Sequence, residues 1–167
     1  RRMDLNCQFA LAAAQQAVDQ AGLTEGNFDP YRTGVIYGSG VGGLAVAEEE
    51  IPKLNAKGPG RVSPLCIPEM IANMAAAYIS MRFGFKGENF CPVSACATAN
   101  HSIGEAMRAI RHGYQDIVLC GGTENGIIPI ALAGFSNMKA LHTGDDPSCA
   151  SIPFDARRSG FVMGEGA

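Results

Sequence analysis

Apolar residues recur along this chain with two different periods. Over the first twenty residues, apolar side chains fall at about every fourth position, which predicts a helix at residues 4–21. Asp4 is a residue type that caps helix starts, and Gly22 is one that ends helices. Residues 33–40, in contrast, form a short apolar run that ends in glycines, which is typical of a buried strand.

The same two patterns continue through the rest of the chain. They predict further helices at residues 44–55, 68–83 and 98–112, and further strands at residues 89–95 and 116–121. Four consecutive apolar residues in the last of these strands are typical of a strand covered on both faces. A mixed apolar segment follows at residues 127–141, and Phe161 and Val162 are read as the start of another strand. Because strands alternate with helices, the sequence predicts a layered α/β fold with a largely parallel sheet.

Composition narrows the class of protein without indicating an activity. The chain has 167 residues, of which 47% are apolar and 17% are charged, so we expect one globular domain with a hydrophobic core. The net charge of −3 argues against nucleic acid as the main partner, because phosphate binding needs a concentrated basic surface. The sequence contains no apolar run long enough to predict a membrane span.

Cysteine content bears on disulfides, metals and compartment. The six cysteines are Cys7, Cys66, Cys91, Cys96, Cys120 and Cys149. A disulfide-stabilised domain is usually shorter and denser in cysteine, and the lack of a C-x-x-C pair removes support for zinc or thioredoxin-like chemistry. We therefore expect free thiols in a reducing cytosol, with no metal. We also expect both ends of the sequence, at Arg1 and at Ala167, to be cuts in a longer protein.

A glycine-rich segment suggests nucleotide binding at first sight. Residues 38–43, Gly-Ser-Gly-Val-Gly-Gly, match the G-x-G-x-x-G pattern and lie between a predicted strand and a predicted helix. That fingerprint also requires an acidic residue at the end of the next strand, about twenty residues further on. Residues 58–61 instead read Gly-Pro-Gly-Arg, as a loop does. We therefore prefer the hypothesis that the glycines let the strand and the helix approach each other closely.

Cys96 lies where the strand predicted at residues 89–95 turns into the helix predicted from Thr98. Free N–H groups and the dipole at a helix start stabilise an anion, and cysteines in such places have pKa values of roughly 3.5–7.5. A sharp strand-to-helix turn also lifts a nucleophile out of the sheet surface. The alternative is an inert thiol that fills the core. The local pattern leaves these two hypotheses open.

A nucleophilic cysteine usually needs a base, and three histidines are available. His101 is five residues beyond Cys96 on the same predicted helix, so we expect it to point away from the helix start. His112 falls at the C-terminal end of that helix, where a cation is stabilised, and His142 falls in a polar loop. Either the cysteine is inert, or its partners lie outside this chain.

Four segments together resemble one family. V-S-A-C-A-T-A-N-H-S-I-G-E-A, at residues 93–106, is similar to the active-site segment of the β-ketoacyl-acyl carrier protein synthases, the elongating condensing enzymes of fatty acid synthesis. The segments at residues 38–44, 121–124 and 153–167 agree with this family in order and spacing, and the last is long and specific. The resemblance covers essentially the whole chain, and the sequence looks most like the type II synthases.

The resemblance implies a thiolase-like fold of two similar halves in five layers. Residues 1–167 would be the β-ketoacyl synthase N-terminal domain, truncated at both ends and holding most of the first half only. The family's two catalytic histidines and its lysine lie in the second half, which would explain why no base is evident.

The resemblance also implies a two-stage reaction that needs no cofactor. Cys96 would take an acyl chain from acyl carrier protein as a thioester, and its backbone N–H would supply one oxyanion-hole donor. A malonyl-loaded carrier protein would then lose carbon dioxide, and its carbanion would attack the thioester.

Three positions match the family's substrate pocket. Val41 corresponds to a residue that lines the acyl pocket, and Phe135 corresponds to an aromatic beside the cysteine. Cys66 corresponds to a pocket position contributed across the dimer interface, where the family often has an aromatic residue. Because a smaller group there would lengthen the pocket, the resemblance leaves the preferred acyl chain length open.

Several charged residues also match positions of the family. Arg2, Arg61 and Lys139 match basic positions that meet the acidic carrier protein in this family, although ordinary solvated charge is the alternative. Asp155 and Arg158 are expected to form a structural ion pair that fixes the turn before the last apolar segment.

The resemblance further implies a cytoplasmic homodimer that binds neither nucleic acid nor a membrane. Its two-fold axis would pair the strand that precedes the cysteine. Two alternatives remain: a polyketide ketosynthase, which shares the chemistry but not the substrate, and a non-catalytic module that dimerises or binds carrier protein. Because the decarboxylation machinery is missing, we predict that these 167 residues alone do not condense substrates and that their exposed faces drive dimerisation or aggregation.

Overall fold

The computed structural model describes residues 3–167, which form two compact units. Unit 1 consists of the described residues up to Asn125 together with Gly166 and Ala167, and unit 2 consists of Gly126–Glu165. Within residues 3–167, no helix has the length and apolar character needed to cross a membrane.

Unit 1 contains five helices and three strands within its described residues. They are α1 (Leu5–Gln20), β1 (Thr33–Gly38), α2 (Leu44–Lys57), α3 (Cys66–Met70), α4 (Met74–Phe83), β2 (Asn89–Phe90), α5 (Thr98–Arg111) and β3 (Ile117–Gly122). Single 3₁₀ turns lie at Pro30–Arg32, Pro59–Arg61 and Ala95–Ala97.

The three strands form one parallel sheet in the order β2-β1-β3. β1 lies at the centre and pairs with β3 along its whole length, from Thr33 opposite Ile117 to Gly38 opposite Gly122. It pairs with β2 over two residues, with Val35 opposite Asn89. Parallel neighbours need a crossover connection, and the intervening helices supply it. The prediction of a layered α/β fold with a parallel sheet is confirmed.

The core lies on both faces of β1. Alternate residues of a strand point to opposite faces, so Val35 and Tyr37 join α1 and α4 in one cluster, while Ile36 meets α5 in a second. The helices present small side chains to the sheet, among them Ala10, Ala76 and Ala106, all nearly inaccessible to solvent. Such small residues let the helix backbones approach the sheet closely.

Two predicted elements are wrong in extent. The helix expected at residues 68–83 is two helices, α3 and α4, because the chain is extended at Ile71. The strand expected at residues 89–95 contains only Asn89 and Phe90. Pro92, which has no N–H to give to a sheet, follows shortly after it.

β3 also departs from its prediction. We expected a strand covered on both faces, but every residue of Ile117–Gly122 is only half-buried. The strand lies at the edge of the three-stranded sheet and pairs with β1 alone.

Asp4 caps α1 as predicted, and its carboxylate accepts a hydrogen bond of 2.9 Å from the backbone N–H of Asn6. We expect Asp4→Ala in the full-length protein to lower the free energy of unfolding by about 1 kcal/mol, because this N–H loses its acceptor. Asp4→Ser retains a capping oxygen and should lose less. Denaturant unfolding measures both variants. Equal losses for alanine and serine would show that the hydrogen bond to the Asn6 N–H is not the source of the lost stability.

Unit 2 contains one helix, α6 (Pro129–Asn137), and a 3₁₀ turn at Pro147–Cys149. Phe161 forms an isolated parallel bridge with Leu141, which agrees with the strand start expected there. The ion pair expected between Asp155 and Arg158 is wrong. Asp155 pairs with Arg157 at 2.9 Å, whereas Arg158 donates to the main-chain carbonyl of Asp155.

Candidate active site

Cys96 lies on a tight turn between the sheet and α5. The 3₁₀ turn Ala95–Ala97 runs directly into the helix, which begins at Thr98. Ala95 has a φ of +50°, a left-handed conformation that L-residues other than glycine rarely adopt. Strained backbone of this kind persists only where the surrounding structure holds it, and it clusters at functional sites.

The turn leaves the backbone N–H of Cys96 available beside the thiol. Ser94 N–H donates to Thr98 Oγ1 at 2.9 Å, and Ala97 N–H donates to the Ser94 carbonyl at 3.1 Å. In residues 3–167 no acceptor meets the backbone N–H of Cys96. An unpaired N–H next to a nucleophile is the type of donor that stabilises a developing oxyanion.

Cys96 differs from the other cysteines in its exposure. All six cysteines lie in the described part of the chain, and Cys96 is the exposed one. Burial raises the pKa of the Cys7 thiol to about 12, and it also raises the pKa values of Cys91 and Cys120. These three thiols stay protonated at neutral pH and are poor nucleophiles.

The three histidines lie against groups other than the Cys96 sulfur. His101 was expected to point away from the helix start, and that expectation is wrong, because its Nδ1 lies 2.5 Å from the Ser94 hydroxyl oxygen. Side chains lean towards the N-terminus of their helix, which brings the ring back over the first turn. His112 stacks on Tyr114, and His142 meets the Ser159 hydroxyl in unit 2. Across the described residues, no histidine hydrogen-bonds the Cys96 sulfur.

The glycine loop, defined as residues 38–43, binds a carboxylate from its own chain. Glu124 Oε2 accepts from the backbone N–H of Gly40 at 2.7 Å, and Glu124 Oε1 accepts from the Ser39 hydroxyl at 2.8 Å. Ser39 Oγ in turn accepts from Gly42 N–H at 2.8 Å, and Gly43 N–H donates to the Met70 carbonyl at 2.8 Å.

This arrangement excludes the dinucleotide hypothesis for the loop. The backbone donors that a pyrophosphate would need are already paired within the chain. After α2 the chain forms the 3₁₀ turn Pro59–Arg61, where a nucleotide-binding unit would have its second strand.

Close packing is the reason for the glycines, as the alternative hypothesis predicted. A Cβ on Gly42 would lie 2.5 Å from the Met70 carbonyl oxygen, and one on Gly43 would overlap the Glu69 carbonyl. A Cβ on Gly40 would lie 2.7 Å from Glu124 Oε2 and 3.7 Å from Ala95 Cα, in the turn that holds Cys96. Gly42 also has a φ of +67°, which favours glycine.

The predicted substrate-binding residues fall in three different elements. Val41 projects from the glycine loop with 55% of its surface exposed. Cys66 is the first residue of α3 and is half-buried. Phe135 belongs to α6 in unit 2, where its ring meets that of Phe161 edge-on at 5.3 Å. Their roles in binding an acyl chain stay predictions.

The predicted carrier-protein contacts are also distributed over the chain. Arg61 ends the turn Pro59–Arg61 and is exposed. Lys139 follows α6 in unit 2, is exposed and has a φ of +59°. Arg2 lies outside the described residues. The roles of these three residues in binding a carrier protein stay predictions.

The parallel sheet and the strained turn that presents Cys96 at the start of α5 define a thiolase-like α/β protein, of which this chain holds part of the N-terminal half. The family model described as "Beta-ketoacyl synthase, N-terminal domain" matches residues 1–167. The chain therefore belongs to the β-ketoacyl synthase family.

Curated relatives agree with this assignment. A protein named "3-oxoacyl-[acyl-carrier-protein] synthase 2" from Synechocystis sp. is 47% identical over 168 residues, which cover 100% of this chain and 40% of the relative. A protein of the same name from Staphylococcus aureus is 46% identical over 167 residues, again 100% of this chain and 40% of the relative. The chain thus spans about two fifths of the length of these relatives.

A solved ketosynthase has a similar fold. The structure describes a type II PKS acyl-carrier protein in complex with its ketosynthase bound to the hexaketide. It superimposes with a TM-score of 0.90 at 28% identity, covering 96% of this chain and 41% of the other.

Proposed function

We propose that this chain is part of a condensing enzyme, a β-ketoacyl-acyl carrier protein synthase of fatty acid synthesis. The observation that carries the proposal is the exposed Cys96 on a strained turn, with its own backbone N–H unpaired among the described residues. A thiol and an adjacent free donor are two of the groups that acyl transfer to a cysteine uses.

The first half-reaction follows from this geometry. The Cys96 thiolate attacks the carbonyl carbon of an acyl thioester, and the carbonyl electron pair moves onto oxygen. The Cys96 N–H donates to that oxyanion. When the carbonyl re-forms, the carbon–sulfur bond to the carrier breaks, and the carrier leaves as a thiolate that takes up a proton.

The second half-reaction needs groups that the described residues do not provide. A malonyl thioester loses carbon dioxide, and the resulting carbanion attacks the acyl group on Cys96. The new carbon–carbon bond gives a β-ketoacyl thioester and frees the Cys96 thiolate. Since no histidine bonds Cys96 in residues 3–167, we assign the decarboxylating groups to the remainder of the full-length protein.

Acyl carrier protein is the proposed partner in both half-reactions. Support comes from the related ketosynthase that was solved in complex with an acyl-carrier protein. Arg61 and Lys139 are exposed cations suited to an acidic carrier, and Arg2 is the third candidate. We further propose that the full-length protein is a cytoplasmic homodimer.

A polyketide ketosynthase is the second candidate, because the solved neighbour with the TM-score of 0.90 belongs to that class. Fatty acid synthesis is preferred, since the curated relatives at 46–47% identity carry the name of a 3-oxoacyl-acyl carrier protein synthase.

Product analysis with the full-length protein tests the proposal. Given acyl- and malonyl-loaded carrier proteins, it should release one carbon dioxide and form one β-ketoacyl carrier protein per turnover, detected by mass spectrometry. We expect residues 1–167 alone to give no product and to dimerise or aggregate in light scattering. A full-length protein that forms no acyl-enzyme would refute the function, and a stable monomer of residues 1–167 would contradict the expectation for the isolated chain.

A further inference from the structure

The carboxylate of Glu124 meets the glycine loop through two hydrogen bonds, from the Ser39 hydroxyl and from the Gly40 N–H. Its own backbone is fixed as well, because Glu124 N–H donates to the Gly166 carbonyl at 2.9 Å and Gly166 N–H donates to the Glu124 carbonyl at 3.0 Å. The carboxylate therefore extends from an anchored main chain. Charge-assisted hydrogen bonds of this kind are about twice as strong as neutral ones.

The bonds of Glu124 continue through the loop. Ser39 is 2% exposed, and its hydroxyl links Glu124 Oε1 to the N–H of Gly42. Gly40, bound by Oε2, faces the backbone of Ala95, the residue that holds the left-handed conformation immediately before Cys96. Glu124 thus secures the surface against which the Cys96 turn rests.

The charge of Glu124 also acts on the segment that leads into the turn. Burial raises the pKa of the Cys91 thiol, and the negative charge of Glu124 raises it further, against a hydrogen bond from the Ser39 backbone. Cys91 stands five residues before Cys96. The carboxylate therefore acts on the loop by hydrogen bonds and on the segment before Cys96 by its charge.

We propose that Glu124 is a positioning residue that, through Ser39 and Gly40, holds the glycine loop against the Ala95–Cys96 turn and so sets the reactivity of Cys96. The part of this inference that concerns acyl transfer rests on the proposed function. The geometric part does not, because it concerns access to the sulfur by any electrophile.

Two substitutions in the full-length protein separate the contacts. Glu124→Gln keeps the shape of the side chain and one acceptor oxygen for the Gly40 N–H, but it removes the negative charge and obliges the Ser39 hydroxyl to accept from the new N–H₂ group, where it now donates to a carboxylate. Ser39→Ala removes the link to Gly42. Glu25→Gln is the matched control, since it makes the same change in the polar loop after α1.

The readout is the second-order rate constant for alkylation of Cys96 by iodoacetamide, followed by mass spectrometry of the Cys96 peptide. We expect roughly a threefold to tenfold decrease in each variant, and a double variant no slower than the slower single one, because both substitutions break the same connection. Glu25→Gln should react like the wild type. A merely structural role would lower the melting temperature and leave the alkylation rate of the folded protein unchanged.

Rates within twofold of the wild type in Glu124→Gln, or effects of the two substitutions that multiply, would overturn the inference. If Ser39→Ala does not fold, the comparison of Glu124→Gln with Glu25→Gln decides alone. Acylation by acyl carrier protein is measured in parallel. A wild type that is alkylated but never acylated would refute the proposed function while the alkylation comparison still decides the role of Glu124.

Discussion

Cys96→Ala in the full-length protein should abolish acyl-enzyme formation and lower the rate of condensation by at least about 10³-fold, because the residue proposed to form the covalent intermediate is gone. The measurement is the intact mass after incubation with acyl carrier protein, together with the rate of β-ketoacyl product formation. A cerulenin-type epoxide should add its mass to the wild type and not to the variant.

Cys149→Ala is the matched control for this experiment. Cys149 is a half-buried thiol at the end of a 3₁₀ turn in unit 2, and no proposed step uses it. The control should keep the acylation and labelling of the wild type. An acyl group that still attaches to Cys96→Ala would place the nucleophile elsewhere and would remove the central element of the proposal.

Gly42→Ala in the glycine loop should destabilise the protein strongly. The new Cβ would lie 2.5 Å from the Met70 carbonyl oxygen, and the φ of +67° disfavours any L-side chain. The steric overlap and the left-handed backbone together should cost about 2–5 kcal/mol in the free energy of unfolding. Thermal or denaturant unfolding of the full-length protein measures this loss.

Gly60→Ala provides the comparison. Gly60 lies in the turn Pro59–Arg61, and a Cβ there would meet no atom within 4 Å. The same chemical change should therefore leave stability within about 0.5 kcal/mol of the wild type, or raise it slightly by restricting the unfolded chain. A Gly42→Ala variant as stable as Gly60→Ala would mean that the loop can move away from α3 without loss.

Strong local signals predicted much of the fold. The helix expected at residues 4–21 is Leu5–Gln20 with Asp4 as its cap, and the one expected at residues 98–112 is Thr98–Arg111. In both cases the apolar periodicity and the residues at the helix ends lie within or next to the helix, so the local sequence is sufficient to predict its bounds.

The errors arise where a distant contact overrides the local pattern. The apolar stripe at residues 68–83 is continuous, yet the helix is interrupted, and the Met70 carbonyl is bound by the N–H of Gly43 instead. β3 looks like a buried strand because of its composition, but within the described residues it pairs with β1 alone. Neither the hydrogen bond from Gly43 to Met70 nor the edge position of β3 can be predicted from the local pattern of apolar residues.

In the candidate site, too, local features were predicted from the sequence and distant contacts were not. The position of Cys96 between strand and helix was evident from sequence, because the turn is local. The role of Glu124 was not, since its hydrogen bonds to Ser39 and Gly40 span 85 and 84 residues. The acidic residue in the family-like segment at residues 121–124 was visible, but nothing in its neighbourhood indicated that its partner was the glycine loop.

The two main-chain hydrogen bonds between Glu124 and Gly166 bear on where this protein would accept added residues. The chain leaves unit 1 just after Glu124 and returns at Gly166, so both ends of the intervening stretch are fixed at one place. Insertions are best tolerated where the two ends of the added polypeptide lie close together. The loops within residues 126–165 are therefore expected to accept insertions without loss of the two hydrogen bonds between Glu124 and Gly166.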